Sequence, residues 1–192
     1  MKTLFPWPDL FVVTQFFEPA VCDAIVAEMK GAAGSAATVY GSAVSGTIDQ
    51  TVRKTFRVKP SNETVALVTQ KLLESKAAIE KHFALTLKEC EEAQFLRYRE
   101  GDFFVAHQDG NTGMTRLETE QRLISTVISL SRESESTETG DYSGGSLVLS
   151  NLRERFRIPA EPGMLVAFRS ETTHEVTPVT HGERYSIASW YR

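Results

Sequence analysis

The chain has 192 residues, of which 41% are hydrophobic and 24% charged, with a formal net charge of −4. That length suits one domain with a sizeable core, and the acidic balance argues against a nucleic-acid-binding surface. No apolar run is long enough to span a membrane, which argues against a membrane protein. In the opening "MKTLFPWPDLFVV", prolines and an aspartate interrupt any apolar signal-peptide core, so a cytoplasmic location is expected. Cys22 and Cys90 lie far apart, each beside acidic residues, and are expected to be reduced thiols.

In chain order, residues 17–30 ("FEPAVCDAIVAEMK") read as a helix. Pro19 sits in its first turn, and Val21, Ile25 and Met29 form an apolar face. Residues 31–49 are rich in Gly, Ala and Ser and are expected to be a flexible loop. "TVRKTFRVKP" (51–60) alternates, with Val52, Phe56 and Val58 on one face, and predicts a strand ended by Pro60. Its Arg53–Lys54 pair reads as a solvated strand end, with contact to substrate from a loop edge as the alternative. A long helix follows over 61–84, with Val65, Val68, Leu72, Ile79 and Phe83 on one stripe.

From about residue 92 the pattern becomes β-rich. Strands are expected near 93–98, 103–109, 122–131, 145–150, 155–158, 163–168, 174–179 and 184–191. Many short strands suggest a sandwich or barrel, with the helices on one face. "SRESESTETGD" (131–141) is polar and reads as a mobile surface loop. Gly144 and Gly145 allow a tight turn or bulge at a strand start.

"FFVAHQDG" (103–110) carries His107 and Asp109 one residue apart. On a strand both point to one face, with Phe103 and Val105, while Phe104, Ala106 and Gln108 take the other. Two ligands do not close a metal site. A non-haem Fe(II) centre takes two histidines and one carboxylate and keeps positions open. His82 falls near a helix end and His181 in a turn-like "VTHGER", whereas His174 begins the strand "HEVTPV". His174 is therefore the expected third ligand. Ten residues on comes Arg184 in "GERYSIASWYR", where Arg184, Ser186, Ala188 and Trp190 alternate onto one face. A buried arginine needs an anion, and its fork matches a carboxylate. A metal beside such an arginine suits a dicarboxylate co-substrate, chelated at one end and clamped at the other.

With "YREGDFFVAHQD", "RLISTVISLS", "YSGGSLVLS", "PGMLVAFRS", "HEVTPV" and "RYSIASWYR" in order, the chain resembles the Fe(II)/2-oxoglutarate-dependent dioxygenases, in their prolyl 4-hydroxylase-like branch. The resemblance covers roughly the last hundred residues, and the closing segment is similar to that of oxygen-sensing prolyl hydroxylases. It implies a mainly β fold, a double-stranded β-helix (jelly roll) braced by N-terminal helices. It also implies a single dioxygenase domain over 1–192, with 1–90 mostly helical support and 91–192 the catalytic β core. His107, Asp109 and His174 match the iron ligands, and no catalytic side chain is expected beyond the metal centre. Arg184 matches the residue that binds the distal carboxylate of 2-oxoglutarate. Tyr98 matches a tyrosine that helps hold the co-substrate, and Ser186 lies beside Arg184. Trp190 matches a pocket aromatic, and Arg122 falls where relatives place an arginine near the substrate. One departure stands out: many prolyl hydroxylases carry a tyrosine where this chain has Ser129, with Ser125 and Val127 on the same face.

The implied activity is hydroxylation of an unactivated C–H bond in a prolyl residue of a protein or peptide. It uses Fe(II), O₂ and 2-oxoglutarate, releases succinate and CO₂, and can take ascorbate as reductant. Rival expectations are a hydroxylase of free amino acids or other small molecules, and a metal-dependent hydrolase or isomerase, which would not need Arg184. A third is a non-catalytic jelly-roll binding module, in which a lost ligand would be the usual sign. Residues 31–49 and 110–121 are expected at the pocket mouth, where substrate is selected.

Overall fold

The computed structural model describes residues 7–37, 49–110, 122–136 and 140–192. Two helices and fourteen strands are formed among them. The larger sheet has the order β1 (Phe11–Val13), β11 (Leu165–Arg169), β7 (Ile124–Ser129), β14 (Arg184–Tyr191), β5 (Gln94–Tyr98), β4 (Phe56–Val58), β2 (Gly34–Ala36). The smaller has the order β10 (Arg155–Ile158), β9 (Leu147–Ser150), β12 (Thr173–Val176), β6 (Phe103–His107), β3 (Arg53–Lys54). A two-stranded ladder joins β13 (Val179–Gly182) to β8 (Tyr142–Gly144). Apart from the β9–β10 hairpin, strand neighbours are far apart in sequence, and every ladder is antiparallel, as in a jelly roll.

The helices α1 (Pro19–Gly31) and α2 (Asn62–Phe83) cover one face of the larger sheet. Pro19 opens α1, and Ser61 caps α2 by accepting a hydrogen bond from the Thr64 N–H at 3.2 Å. The α2 stripe of Val68, Leu72, Ile79 and Phe83 is buried, together with Ile25 and Met29 of α1. These pack on Ile124, Ile128, Leu165, Ile187 and Tyr191 of the sheet. Tyr191 locks the contact by donating its hydroxyl hydrogen to the Leu72 carbonyl at 2.6 Å. Side chains alternate along β14, so Tyr185, Ile187 and Tyr191 face the helices. Arg184, Ser186, Ala188 and Trp190 are left for the space between the sheets.

Several expectations need correction. Residues 34–36, expected in a flexible loop, form β2 against β4, with Gly34 opposite Val58; residues 38–48 lie outside the described ones. The single strand expected over 51–60 is two, β3 in one sheet and β4 in the other, so the chain crosses between sheets at Thr55. The first ninety residues thus supply four strands as well as the helices. His181 lies in β13 rather than a turn, 3.4 Å from Glu100. Within the expected surface loop 131–141, Ser131 and the Glu133 side chain are buried, and Glu133 bonds Ser146 and Arg157. The two cysteines are free thiols.

Candidate metal and co-substrate site

β6 and β12 run side by side with His107 directly opposite His174. Between His107 and Phe104 the ladder slips: Val176, two residues after His174, faces Phe104, three residues before His107. This bulge in β6 breaks strict alternation. It turns Phe104 to the same side as His107, where the rings stack with centroids 3.6 Å apart and planes 19° apart. The expectation that Phe104 takes the opposite face is overturned for that reason. Val105 is displaced to an exposed position, and its carbonyl accepts a hydrogen bond from His107 Nδ1 at 2.8 Å.

His174 is held the same way, its Nδ1 donating to the Thr172 carbonyl at 2.9 Å, with Phe168 edge-on at 4.9 Å. Both imidazoles therefore aim Nε2 inward. Asp109 lies just past β6, with its N–H donating to the Ser170 carbonyl at 3.0 Å. One of its carboxylate oxygens is 3.5 Å from His107 Nε2 and the other 3.3 Å from His174 Nε2. The Ser125 hydroxyl donates to Asp109 Oδ2 at 2.8 Å and lies 2.9 Å from Ser170 Oγ. One ligand atom from each of His107, Asp109 and His174 lies within 4.8 Å of the others.

The three side chains are electrostatically coupled. Burial would push the Asp109 carboxyl up, but His174 and His107 hold it well below the usual carboxylate range. Burial would push His174 down, but Asp109 outweighs it and the pKa is raised. His107 is lowered, by burial first and then by His174. Two neutral imidazoles and one carboxylate, each oriented by an outer hydrogen bond, fit a first-row metal such as Fe(II).

A cavity opens from this triad towards β14. It is lined by all eight residues singled out in the sequence: His107, Asp109, His174, Tyr98, Arg122, Arg184, Ser186 and Trp190. Arg184 stands opposite Tyr98 across the β14–β5 ladder, with its guanidinium 5.1 Å from the Tyr98 ring. It is 3% exposed and donates to Ser186 Oγ at 2.8 Å. Among the described residues no carboxylate lies within ion-pair distance of it. Arg122 is different. Its guanidinium grips Glu91 with both arms, at 2.8 and 2.5 Å, and lies 3.8 Å over the Trp190 ring. The Trp190 indole N–H is buried and finds no acceptor among the described residues.

Some contributors went unread in the sequence. Phe104 was masked by the bulge. The bond from Ser125 to Asp109 is formed only by the fold and has no sequence signal. Arg53, read as a solvated strand end, is buried beside the cavity with its guanidinium 4.7 Å over the Phe104 ring. Of the other histidines, His82 pairs with Asp9 at 3.0 Å and lines no part of the cavity.

Residues 93–192 match the family model of the 2OG-Fe(II) oxygenase superfamily. The chain belongs to this superfamily. Its members use Fe(II), 2-oxoglutarate and O₂. A PKHD-type hydroxylase from Shewanella oneidensis is 36% identical over 101 residues, 50% of this chain and 40% of the relative. Another from Phenylobacterium zucineum is 26% identical over 171 residues, 86% of this chain and 71% of the relative. The match to the Shewanella protein thus spans less than half of that relative's length. Among solved structures, a Pseudomonas putida prolyl-4-hydroxylase superposes with a TM-score of 0.71 at 23% identity, covering 96% of this chain and 92% of that one. A Trichoplax adhaerens prolyl hydroxylase, in complex with a hypoxia inducible factor peptide fragment, gives 0.70 at 15% identity, covering 95% and 83%. These likenesses show the 2OG-Fe(II) oxygenase jelly roll. The buried arginine and the His–Asp–His cluster line one cavity.

Proposed function

We propose that this chain, as a single dioxygenase domain, hydroxylates a prolyl residue in a protein or peptide, with release of succinate and CO₂. The observation that carries this reading is Arg184. It is a buried cation with only neutral partners among the described residues, in the same cavity as a three-ligand metal cluster. A charge left buried in that way needs an anion. The distal carboxylate of a co-substrate chelated at the cluster supplies one.

His107, Asp109 and His174 hold Fe(II) in this reading. The Nδ1 bonds to Val105 and Thr172 fix the tautomer that presents Nε2 to the metal. Ser125 holds the Asp109 carboxylate in place. Iron and 2-oxoglutarate together supply O₂ activation and the power to oxidise an unactivated C–H bond; ascorbate serves as external reductant. Arg184, Ser186 and Tyr98 hold the co-substrate so that it enters in one orientation. Val127, Leu147 and Val176 give the cavity an apolar lining that excludes water. Trp190, steadied by Arg122, and Arg53 over Phe104 border the approach for a peptide. The prolyl hydroxylase likeness, including a neighbour solved with a peptide, favours a peptidyl substrate. Among the described residues no helix is long and apolar enough to cross a membrane, and the protein is proposed to act in the cytoplasm.

The test is incubation with Fe(II), 2-oxoglutarate and a proteome-derived peptide panel, read by mass spectrometry. A proline-containing peptide should gain one oxygen atom, with matching succinate. Succinate formed with free amino acids but with no peptide would move the substrate to the small-molecule class.

A further inference from the structure

The indole N–H of Trp190 is a donor that neither the metal cluster nor the co-substrate clamp uses. The residue is 7% exposed and lines the cavity, and this N–H finds no acceptor among the described residues. Buried donors are paired in nearly all folded proteins, so an orphan in a cavity wall marks the place of a ligand acceptor. Position along β14 says which ligand. Trp190 stands opposite Ser125 in the β14–β7 ladder, and Ser125 bonds Asp109, so Trp190 is level with the metal cluster. Arg184 lies six residues back, roughly 20 Å along an extended strand. A short dicarboxylate clamped by Arg184 does not span that length, which leaves the indole to the substrate.

The charge next to that indole is already neutralised. Arg122 lies 3.8 Å over the Trp190 ring, and its Nε and Nη2 donate to the two Glu91 carboxylate oxygens at 2.8 and 2.5 Å. Arg192 Nε donates to the same carboxylate at 2.9 Å. Glu91 is itself tied to β14. Its N–H donates to the Trp190 carbonyl at 2.7 Å, and its own carbonyl accepts the Ser189 hydroxyl at 2.7 Å. Glu91, Arg122 and Trp190 thus form one braced unit, in which the guanidinium covers the ring and both its arms are taken. Arg53, the remaining cavity arginine besides Arg184, lies over Phe104 instead. A ligand carboxylate beside Trp190 would meet the Glu91 charge with no free fork to bind it. An amide carbonyl would meet only the indole donor.

Resting on the peptidyl hydroxylase reading, we propose that the Trp190 indole N–H donates to a substrate amide carbonyl, and that Glu91 is the positioning residue that makes this contact selective for an uncharged acceptor. Glu91 holds Arg122 on the ring and cancels the charge that would otherwise draw a free carboxylate there. The site therefore prefers an internal peptide residue, whose carbonyl is an amide, over a chain that ends in an acid at the same position.

The experiment starts from a pooled library of N-acetyl-Xaa-Pro-Xaa amides, turned over by the Fe(II)- and 2-oxoglutarate-loaded enzyme. The best member is then compared with its N-acetyl-Xaa-Pro free acid. The chain has two tryptophans, Trp7 and Trp190, so isotope-labelled tryptophan gives two indole N–H signals by NMR, which Trp190→Phe assigns. In the Zn(II)- and 2-oxoglutarate-loaded wild type, the amide should move the Trp190 indole proton downfield and slow its exchange with water. The Trp7 signal should stay still. Trp190→Phe should lower kcat/KM for the amide by about three- to tenfold, the scale of one neutral hydrogen bond, with the KM for 2-oxoglutarate unchanged. Glu91→Gln keeps the shape and removes the charge. It should raise the acid-to-amide ratio of kcat/KM by about tenfold, a change of preference that lost packing would not produce. An amide that is turned over without moving the Trp190 indole would overturn the proposal. So would a Glu91→Gln protein that loses both substrates in proportion. Either result leaves the hydroxylase reading intact. A library with no member turned over would remove both.

Discussion

His174 stands directly across the β12–β6 ladder from His107, with ring centroids 4.2 Å apart, and both present Nε2 to the one carboxylate of Asp109. A paired strand register is a rigid way to bring together residues 67 positions apart. It means the metal cluster is built by sheet formation itself, before any ligand arrives. Asp109, on the segment after β6, is the least constrained of the three, and Ser125 and Ser170 secure it.

That dependence makes Ser125 testable. Ser125→Ala removes the hydroxyl that donates to Asp109 Oδ2 without touching a ligand. Metal affinity should fall by about tenfold, within the range typical of outer-shell partners, with the fold retained. Isothermal titration with Mn(II) as a redox-inert probe measures it.

Arg184→Ala should leave metal binding near wild type and raise the KM for 2-oxoglutarate. A charge-assisted pair is worth about 1.5–3 kcal/mol per bond, so the loss should be at least about tenfold and up to several hundredfold. Arg184→Lys should recover part of it, because the charge stays and the fork goes. Ser186→Ala should cost less than either. Steady-state kinetics in 2-oxoglutarate rank the three.

Metal binding should depend on pH with a definite sign. Burial would lower the His174 pKa, but Asp109 outweighs it and the pKa is raised, so protons compete with a metal for that imidazole to higher pH than at an ordinary histidine. Affinity should therefore strengthen as pH rises from about 6, near the ordinary histidine value, and level off above the raised pKa. Mn(II) titrations across that range check it. An affinity that weakens over the same interval would contradict the assignment.

The helical layer predicts a stability effect separable from chemistry. Leu72 is fully buried between α2 and the sheet, and its carbonyl accepts the Tyr191 hydroxyl. Leu72→Ala should destabilise the fold by about 2–5 kcal/mol, read from chemical denaturation. Co-substrate affinity of the folded fraction should be unchanged.

The site was legible where local pattern and chemistry coincide. His107 and Asp109 sit at the end of an alternating strand, His174 opens another, and the Arg184–Trp190 stripe alternates along β14. Such one-face arrangements follow from strand geometry alone. The helices were readable for a similar reason, since α1 and α2 carry apolar stripes at helical spacing. What stayed hidden depends on non-local pairing. The β6 bulge that turns Phe104 onto His107 exists only against β12. The switch of sheets at Thr55 depends on which strands lie beside β3 and β4. Short strands such as β2 and β8 carry little signal of their own and are formed by their partners. Arg53 looked like a surface residue until Phe104 was placed beneath it. Residues 111–121, expected at the pocket mouth, lie outside the described ones.

The central claim is that His107, Asp109 and His174 hold one iron to which 2-oxoglutarate chelates. Anaerobic addition of 2-oxoglutarate to the Fe(II)-loaded protein, followed by visible absorption, tests it most directly. The wild type should develop a saturable metal-to-ligand charge-transfer band, and His174→Ala and Asp109→Ala should each abolish it while remaining folded. A band of undiminished intensity and affinity in either variant would contradict the assignment of the metal centre.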